Sequence, residues 1–122
     1  MSPSWLGVRQ TREFTKDLKR LTKRFRSLPD DLDTFIDVEL KLFHMLGVDN
    51  KGIVQISDTG QSTAAFYKAR KFACKSLKGT GSRSGIRVVY SYKPEDDTVT
   101  LVELYYKGDK PSEDRSRIKS LR

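Results

Sequence analysis

The sequence of 122 residues has very little of the residue types on which most hydrolytic sites depend. It contains one cysteine, Cys74, and one histidine, His44. A single cysteine excludes an internal disulfide framework and a cysteine-based zinc cluster. With one histidine, most metal-hydrolase sites and Ser-His-Asp triads also lack their residues. We therefore expect no metal and no cofactor, and we interpret His44 and Cys74 as packed side chains.

Long apolar runs are also missing. No segment is long enough to cross a membrane, and the first ten residues lack the apolar core of a secretory signal. We expect a soluble, cytoplasmic protein without a membrane partner.

The length and the apolar fraction of 36% fit one domain, residues 1–122, with a modest core.

Acidic residues are absent from residues 64–94, although the whole chain has 16 of them. The segment has a net charge of +8, which equals the net charge of the whole chain. Its cations are Lys68, Arg70, Lys71, Lys75, Lys78, Arg83, Arg87 and Lys93. Such a block is typical of a surface that binds a polyanion, although a solvated basic face is the alternative interpretation.

The first half of the chain predicts two helices, at about residues 11–46. Apolar side chains recur there at spacings of three and four, and Pro29 separates a basic first helix from an acidic second one. Gly47 is a suitable end for the second helix. The predicted core positions of the two helices are Phe14, Leu18, Leu21, Phe25 and Leu28, then Leu32, Phe35, Ile36, Leu40, Phe43 and Leu46.

The second half changes to a period of two, which predicts a β-sheet at about residues 52–107. The segment 64–74 is predicted to present Phe66, Lys68, Arg70, Phe72 and Cys74 on one strand face. A short strand at 5–10 would precede the helices, and a helix at about 112–121 would follow the sheet. This order predicts an α+β fold, with a helical hairpin packed on a twisted antiparallel sheet and a short C-terminal helix.

The cations of the predicted strands converge on one surface. Lys68 and Arg70 are two residues apart on one strand, Arg87 lies on the next, and Lys107 ends the strand after that. Such a cluster is suited to binding an RNA backbone or to stabilising charge at a phosphate that undergoes transfer. The remaining candidate RNA-binding residues are Lys71, Lys75, Lys78, Arg83 and Lys93.

Tyrosines and glycines complete the pattern around these cations. The glycine-rich loop 79–85 precedes a strand rather than a helix, so it does not fit a phosphate-binding loop and suggests a mobile basic loop. Four tyrosines are available to stack on bases or to pack in the sheet: Tyr90, Tyr92, Tyr105 and Tyr106.

This region resembles the RelE/ParE superfamily of type II toxins, in particular the branch related to RelE and HigB. The similar features are Lys68-Ala69-Arg70 on one strand, the Gly/Ser/Lys loop, the run Ser84-Gly85-Ile86-Arg87, and the strand end Tyr105-Tyr106-Lys107. The resemblance extends over roughly residues 9–120. It implies a RelE-like fold and a toxin that cleaves mRNA on the ribosome without a metal, by attack of the 2′-hydroxyl on the adjacent phosphate.

The resemblance also implies residue roles and partners. Lys68, Arg70 and Arg87 match the cations that bind the phosphate, and Lys107 lies close to a further basic position. The implied partners are a cognate antitoxin, which we expect to be acidic, together with the ribosome and mRNA.

The sequence departs from the catalytic members of the superfamily at the acid–base positions. Gly108 stands where an arginine is expected, and no tyrosine follows Tyr106. Tyr106 or a lysine would then provide acid–base catalysis, or such assistance is weak. Two other functions therefore stay open: a ParE-like DNA gyrase inhibitor without catalysis, and a catalytically inactive relative that binds RNA or the ribosome.

Overall fold

The computed structural model describes residues 7–49, 51–57 and 64–121, and within these ranges five strands form one sheet. The strands are β1 Gly7–Gln10, β2 Ile53–Gln55, β3 Ala65–Ala69, β4 Ile86–Lys93 and β5 Thr98–Tyr106, in the spatial order β1-β5-β4-β3-β2. All neighbours are antiparallel except β1, which runs parallel to β5. The predicted antiparallel sheet is thus confirmed for β2 to β5, and β1 adds one parallel pair at its edge. No hairpin joins β1 to β5, so the connectivity does not require antiparallel pairing there.

The helical part follows β1 and matches the predicted hairpin. Helix α1, Arg12–Thr22, begins after Thr11, whose hydroxyl accepts the Phe14 N–H at 3.1 Å. The second helical segment consists of α2 (Leu28–Thr34), a π-helical stretch (Phe35–Leu40) and α3 (Lys41–His44). It ends before Gly47, which has a φ of +67°.

Leu46 is the predicted core residue that the structure leaves in solvent, with 69% of its surface exposed. The helix has already ended at His44, so the helical spacing no longer places the Leu46 side chain towards the sheet. The other predicted core positions of the two helices are buried or packed against the core.

The sheet has two faces with separate apolar clusters. The helix face packs against α1 and α2, and its strand residues include Val88, Tyr90, Val99, Leu101 and Leu104. The opposite face, here called the α4 face, packs against helix α4, Arg115–Leu121. Its buried apolar residues are Ile56, Phe66, Val89, Val102, Tyr105 and Ile118.

The predicted common face of residues 66–74 is wrong. Strand β3 ends at Ala69, and the Arg70 N–H donates to the Gly52 carbonyl at 2.6 Å. Beyond this point, Phe72 and Cys74 belong to the core of the helix face, whereas Phe66 packs on the α4 face. The burial of Cys74 agrees with its interpretation as a packed side chain, and this burial raises the pKa of its thiol.

A β-bulge in the β4–β5 pair connects the two layers. The register shifts between Val89 and Tyr90, so that Val89 pairs with Glu103 while Tyr90 pairs with Leu101. A bulge interrupts the ladder of backbone hydrogen bonds, and its free groups need other partners. Asp17 of α1 supplies one, because its Oδ2 accepts the Leu104 N–H at 3.1 Å.

Asp17 is buried, and it also binds Arg117 of α4 through two hydrogen bonds of 2.6 and 3.1 Å. Arg117 in turn donates to the Val102 carbonyl at 3.2 Å. These contacts attach α4 to the bulge and thereby fix the C-terminal segment across the α4 face.

Candidate functional site

Arg87 lies on the α4 face, in register with Tyr105 of the neighbouring strand. Its guanidinium Nη1 donates a hydrogen bond of 2.9 Å to the carbonyl of Arg70, which follows the last residue of β3. Lys68 pairs in register with Val89, two residues along β4 from Arg87, so its side chain projects on the same face. Lys68 and Arg87 therefore lie on the α4 face, whereas Arg70 is exposed beyond the end of β3 and contacts Arg87 through its backbone carbonyl.

Lys68 is paired with a carboxylate that sequence reasoning missed. Its Nζ lies 2.8 Å from Oε1 of Glu113, a residue just before α4, and both side chains are largely shielded, with 22% and 9% exposed. The other Glu113 oxygen lies 3.8 Å from the Arg115 guanidinium, which is longer than a hydrogen bond. Because Glu113 is 45 residues from Lys68 and outside any periodic pattern, no sequence signal identifies this pair.

The Glu113 carboxylate is stabilised in its charged form. Burial alone would raise the pKa of Glu113, but the hydrogen bond from Lys68 and the positive charges of Lys68 and Arg115 outweigh this effect and lower the pKa. The carboxylate is therefore ionised at neutral pH and accepts a hydrogen bond from Lys68.

These three charged side chains line a partly open cavity of about 180 Å³. The other wall is formed by the chain around β2, residues 54–57. Arg115 is anchored to this wall, because its Nη1 donates to the Ser57 carbonyl at 2.8 Å. The cavity thus contains two cations, one carboxylate and backbone polar groups, which is a suitable environment for a phosphate with its sugar.

Tyr105 lies between the charged groups of the α4 face. Burial raises the pKa of its hydroxyl to about 12, the negative charges of Glu113 and Glu103 add to this effect, and Arg87 opposes it. Glu103 is buried as well and forms an ion pair with Lys110. At neutral pH, Tyr105 is therefore a neutral phenol whose ring is covered, so it is not available to stack on a base.

Tyr106 faces the other way. It pairs with Ile86 on the helix face, where its ring centroid lies 5.1 Å from that of Phe25 and under the guanidinium of Arg24. The ring also covers Gly108, because a Cβ on Gly108 would lie 2.5 Å from a carbon of Tyr106. The structure thus does not bring Tyr106 to Arg87, and the residue at 108 must be small.

Lys107 follows Tyr106 at the end of β5 and is exposed. Its N–H donates to the Gly85 carbonyl at 2.8 Å, which keeps the end of β5 beside the start of β4. It therefore lies at the same end of the sheet as Arg87.

The basic loop between β3 and β4 is held in place by hydrogen bonds, although its composition suggested mobility. The Ser84 hydroxyl donates to the Phe72 carbonyl at 2.5 Å, and the Lys75 N–H donates to Asp31 of α2 at 3.1 Å. Its predicted RNA-binding residues Lys71, Lys75, Lys78 and Arg83 are all exposed.

Lys93, the remaining predicted RNA-binding residue, is exposed at the opposite end of β4. Lys93 is six positions after Arg87, which corresponds to about 20 Å along a strand. The structure therefore does not group Lys93 with the cations near Arg87.

His44 is a packed side chain, as expected. Its Nε2 lies 2.8 Å from the Tyr90 hydroxyl, and its ring stacks on Tyr92 with a centroid distance of 4.1 Å. Burial lowers the pKa of His44 to about 4, so the ring is neutral at physiological pH. Tyr90 is fully buried in this stack and is likewise not available to bind a base.

In the described part of the chain, no three His, Cys, Asp or Glu side chains are grouped in a way that would hold a metal ion. The helices found there are also too short or too polar to span a membrane.

Comparisons with known proteins identify the fold. No protein-family model matches the chain, and no curated protein matches it significantly. A crystal structure of the archaeal RelE–RelB complex from Pyrococcus horikoshii OT3 contains a similar chain, with a TM-score of 0.50 and 18% sequence identity. The match covers 84% of this chain and 96% of the other. The chain therefore has a RelE-like α+β fold, which agrees with the resemblance seen in the sequence.

Proposed function

We propose that the chain is the toxin of a type II toxin–antitoxin system and that it cleaves mRNA on the ribosome. The observation that carries this proposal is that Lys68 and Arg87 lie on one face of a RelE-like sheet, where Arg87 donates to the backbone carbonyl of Arg70. The sequence resemblance assigns phosphate binding to the same three residues.

The reaction would use the RNA's own 2′-hydroxyl. This oxygen attacks the adjacent phosphorus, a cyclic 2′,3′-phosphate forms, and the 5′-oxygen leaves. Negative charge accumulates on the phosphate oxygens in the transition state, and fixed cations stabilise that charge. Arg87 is suited to this role because its hydrogen bond to the Arg70 carbonyl holds it in place before RNA arrives.

The exposed lysines and arginine of the loop after β3 would bind the RNA backbone next to this site. Lys71, Lys75, Lys78 and Arg83 are exposed in the segment that joins β3, which carries Lys68, to β4, which carries Arg87. Such contacts provide affinity without base specificity and weaken as salt concentration rises. We further propose that Lys107, at the end of β5, belongs to the same surface.

An acidic antitoxin would neutralise the toxin by covering these cations. The similar archaeal structure contains RelE together with RelB, and the net charge of +8 on the present chain favours a partner of opposite charge. The protein would act in the cytoplasm, where translating ribosomes are found.

The test is induced expression in a bacterial host with mapping of transcript 5′ ends. Wild type is compared with Arg87→Ala and with Lys93→Ala, a matched cation at the other end of β4. We expect growth arrest and new ends inside translated regions for wild type and Lys93→Ala, and neither for Arg87→Ala. Growth arrest with intact transcripts would contradict cleavage and favour gyrase inhibition. The absence of both arrest and cleavage for wild type would indicate an inactive relative.

A further inference from the structure

The proposed reaction needs a group that takes the proton from the attacking 2′-hydroxyl, and the structure offers a residue outside the motifs for this task. Tyr106 faces the helix face, and the Tyr105 phenol is buried and neutral. Glu103 is almost fully buried and is already paired with Lys110. In the part of the chain that the structure describes, the carboxylate that reaches the cavity beside Lys68 is that of Glu113.

We propose that Glu113 is the general base of the cleavage reaction, an inference that rests on the proposed function. Glu113 accepts the 2′-hydroxyl proton while the bond from O2′ to phosphorus forms. The bond from phosphorus to O5′ breaks, and O5′ takes a proton from water. Lys68 and Arg115 hold the phosphate and the sugar in the same cavity.

The geometry around Glu113 fits a base that is fixed before the substrate binds. Lys68 holds one carboxylate oxygen at 2.8 Å, and Arg115 flanks the other at 3.8 Å while being anchored to the Ser57 carbonyl. The backbone around Glu113 is fixed too, because the Asp114 N–H donates to Glu103 at 2.7 Å. A positioned base of this kind contributes about 10²–10⁴-fold to a rate.

The local charge also permits an anionic substrate to approach. Two cations and one carboxylate leave the cavity with a net charge of +1, so Glu113 does not reverse the attraction for phosphate. Lys68, which contacts Glu113, pairs with Val89, two residues along β4 from Arg87 and on the same face, so the cavity adjoins the arginine. The base would thus lie beside the phosphate whose charge Arg87 stabilises.

The test measures single-turnover cleavage of a defined mRNA on stalled ribosomes by the purified chain. Glu113→Gln keeps the size and the hydrogen-bond acceptor for Lys68 but cannot take a proton, and Glu95→Gln in the exposed β4–β5 turn is the matched control. We expect Glu113→Gln to cleave about 10²-fold more slowly or worse, with unchanged ribosome binding and an unchanged melting temperature. Glu113→Asp should recover part of the rate.

A second substrate separates a base from an acid. RNA with sulfur in place of the leaving 5′-oxygen needs no protonation of the leaving group, but its 2′-hydroxyl still needs activation. We expect Glu113→Gln to stay slow on this RNA, whereas restored cleavage would assign Glu113 to the leaving group and overturn the proposal.

The remaining outcomes separate this inference from the proposed function. Wild-type or faster cleavage by Glu113→Gln would overturn the role of Glu113 alone and indicate that the carboxylate merely covers Lys68. No cleavage by wild type, or equal cleavage by Arg87→Ala, would overturn the proposed function and the role of Glu113 with it.

Discussion

The two faces of the sheet use their polar groups in opposite ways. On the helix face, polar atoms are satisfied by neighbours within the core, as in the contact between His44 and the hydroxyl of Tyr90. On the α4 face, Lys68 and Glu113 carry opposite charges beside a partly open cavity. Burial of neutral polar groups stabilises a fold at low cost, whereas charges beside a cavity are available to a ligand. The comparison indicates that the helix face mainly stabilises the protein, whereas the α4 face keeps charged groups accessible to a ligand.

The contrast predicts the largest loss of stability on the helix face. Phe14→Ala, at a fully buried position of α1, should lower the free energy of unfolding by about 3–5 kcal/mol. Ile118→Ala on the α4 face should cost less, about 2 kcal/mol, because the seven-residue helix α4 can shift to fill the space. Urea unfolding of both variants checks this order. A larger loss of stability for Ile118→Ala than for Phe14→Ala would contradict the greater contribution of the helix face to stability.

Asp17 links the two faces, and its removal should have the next largest effect. Asp17→Ala leaves the Leu104 N–H and the Arg117 guanidinium without their partner, which should cost about 2–3 kcal/mol. Hydrogen exchange should show faster exchange in α4 than in α1. Asp33→Ala, an exposed position of α2, is the control. Equal stability of the two variants would show that the bulge does not depend on Asp17.

The partly buried side chain of His44 predicts a pH dependence of stability that arises on the helix face. The pKa of His44 is about 4 in the folded protein and near 6.5 when the chain is unfolded, so between these values the unfolded chain binds more protons. The contribution of neutral His44 to the free energy of unfolding is complete above pH 6.5. It falls by about 1–3 kcal/mol as the pH decreases towards 4. Melting curves of wild type and His44→Gln check this.

The control is a comparison of stability against pH for wild type and for His44→Gln. The difference in stability between wild type and His44→Gln should shrink as the pH falls from 6.5 to 4. A constant difference over this range would contradict a neutral, buried His44.

The smallest effect is expected for Lys93→Ala. Lys93 is on β4 like Arg87 but about 20 Å away, so its loss should leave the rate of cleavage unchanged and slightly reduce the salt dependence of RNA binding. Binding measured at several salt concentrations checks the second part. A loss of cleavage as large as that of Arg87→Ala would extend the site over the whole α4 face.

Local sequence signals predicted the elements of this fold. The spacing of Phe14, Leu21 and Phe25 predicted the first helix, although α1 ends at Thr22, before Phe25. Alternation predicted β4 and β5, and both patterns arise from neighbours in the chain. The parallel pairing of β1 and the bulge at Val102 depend on residues distant in sequence, so no local pattern contains them.

The same limit applies to the candidate site. Strand alternation predicted that Lys68 and Arg87 share a face, and the register of β3 with β4 places them there. Alternation did not predict that β3 ends before Arg70. The contact of Lys68 with Glu113 depends on how α4 docks, and the orientation of Tyr106 depends on the register at the end of β5. Charge and periodicity alone predict neither the contact between Lys68 and Glu113 nor the orientation of Tyr106.

Cleavage by the 2′-hydroxyl is tested most directly by the chemistry of the RNA ends that the purified chain produces on programmed ribosomes. We expect a 2′,3′-cyclic phosphate and a 5′-hydroxyl at each cut. We also expect that no cut occurs where the attacking ribose is replaced by 2′-deoxyribose or when Arg87 is changed to alanine. Cleavage that persists at the deoxyribose, or wild-type cleavage by a correctly folded Arg87→Ala variant, would contradict this mechanism.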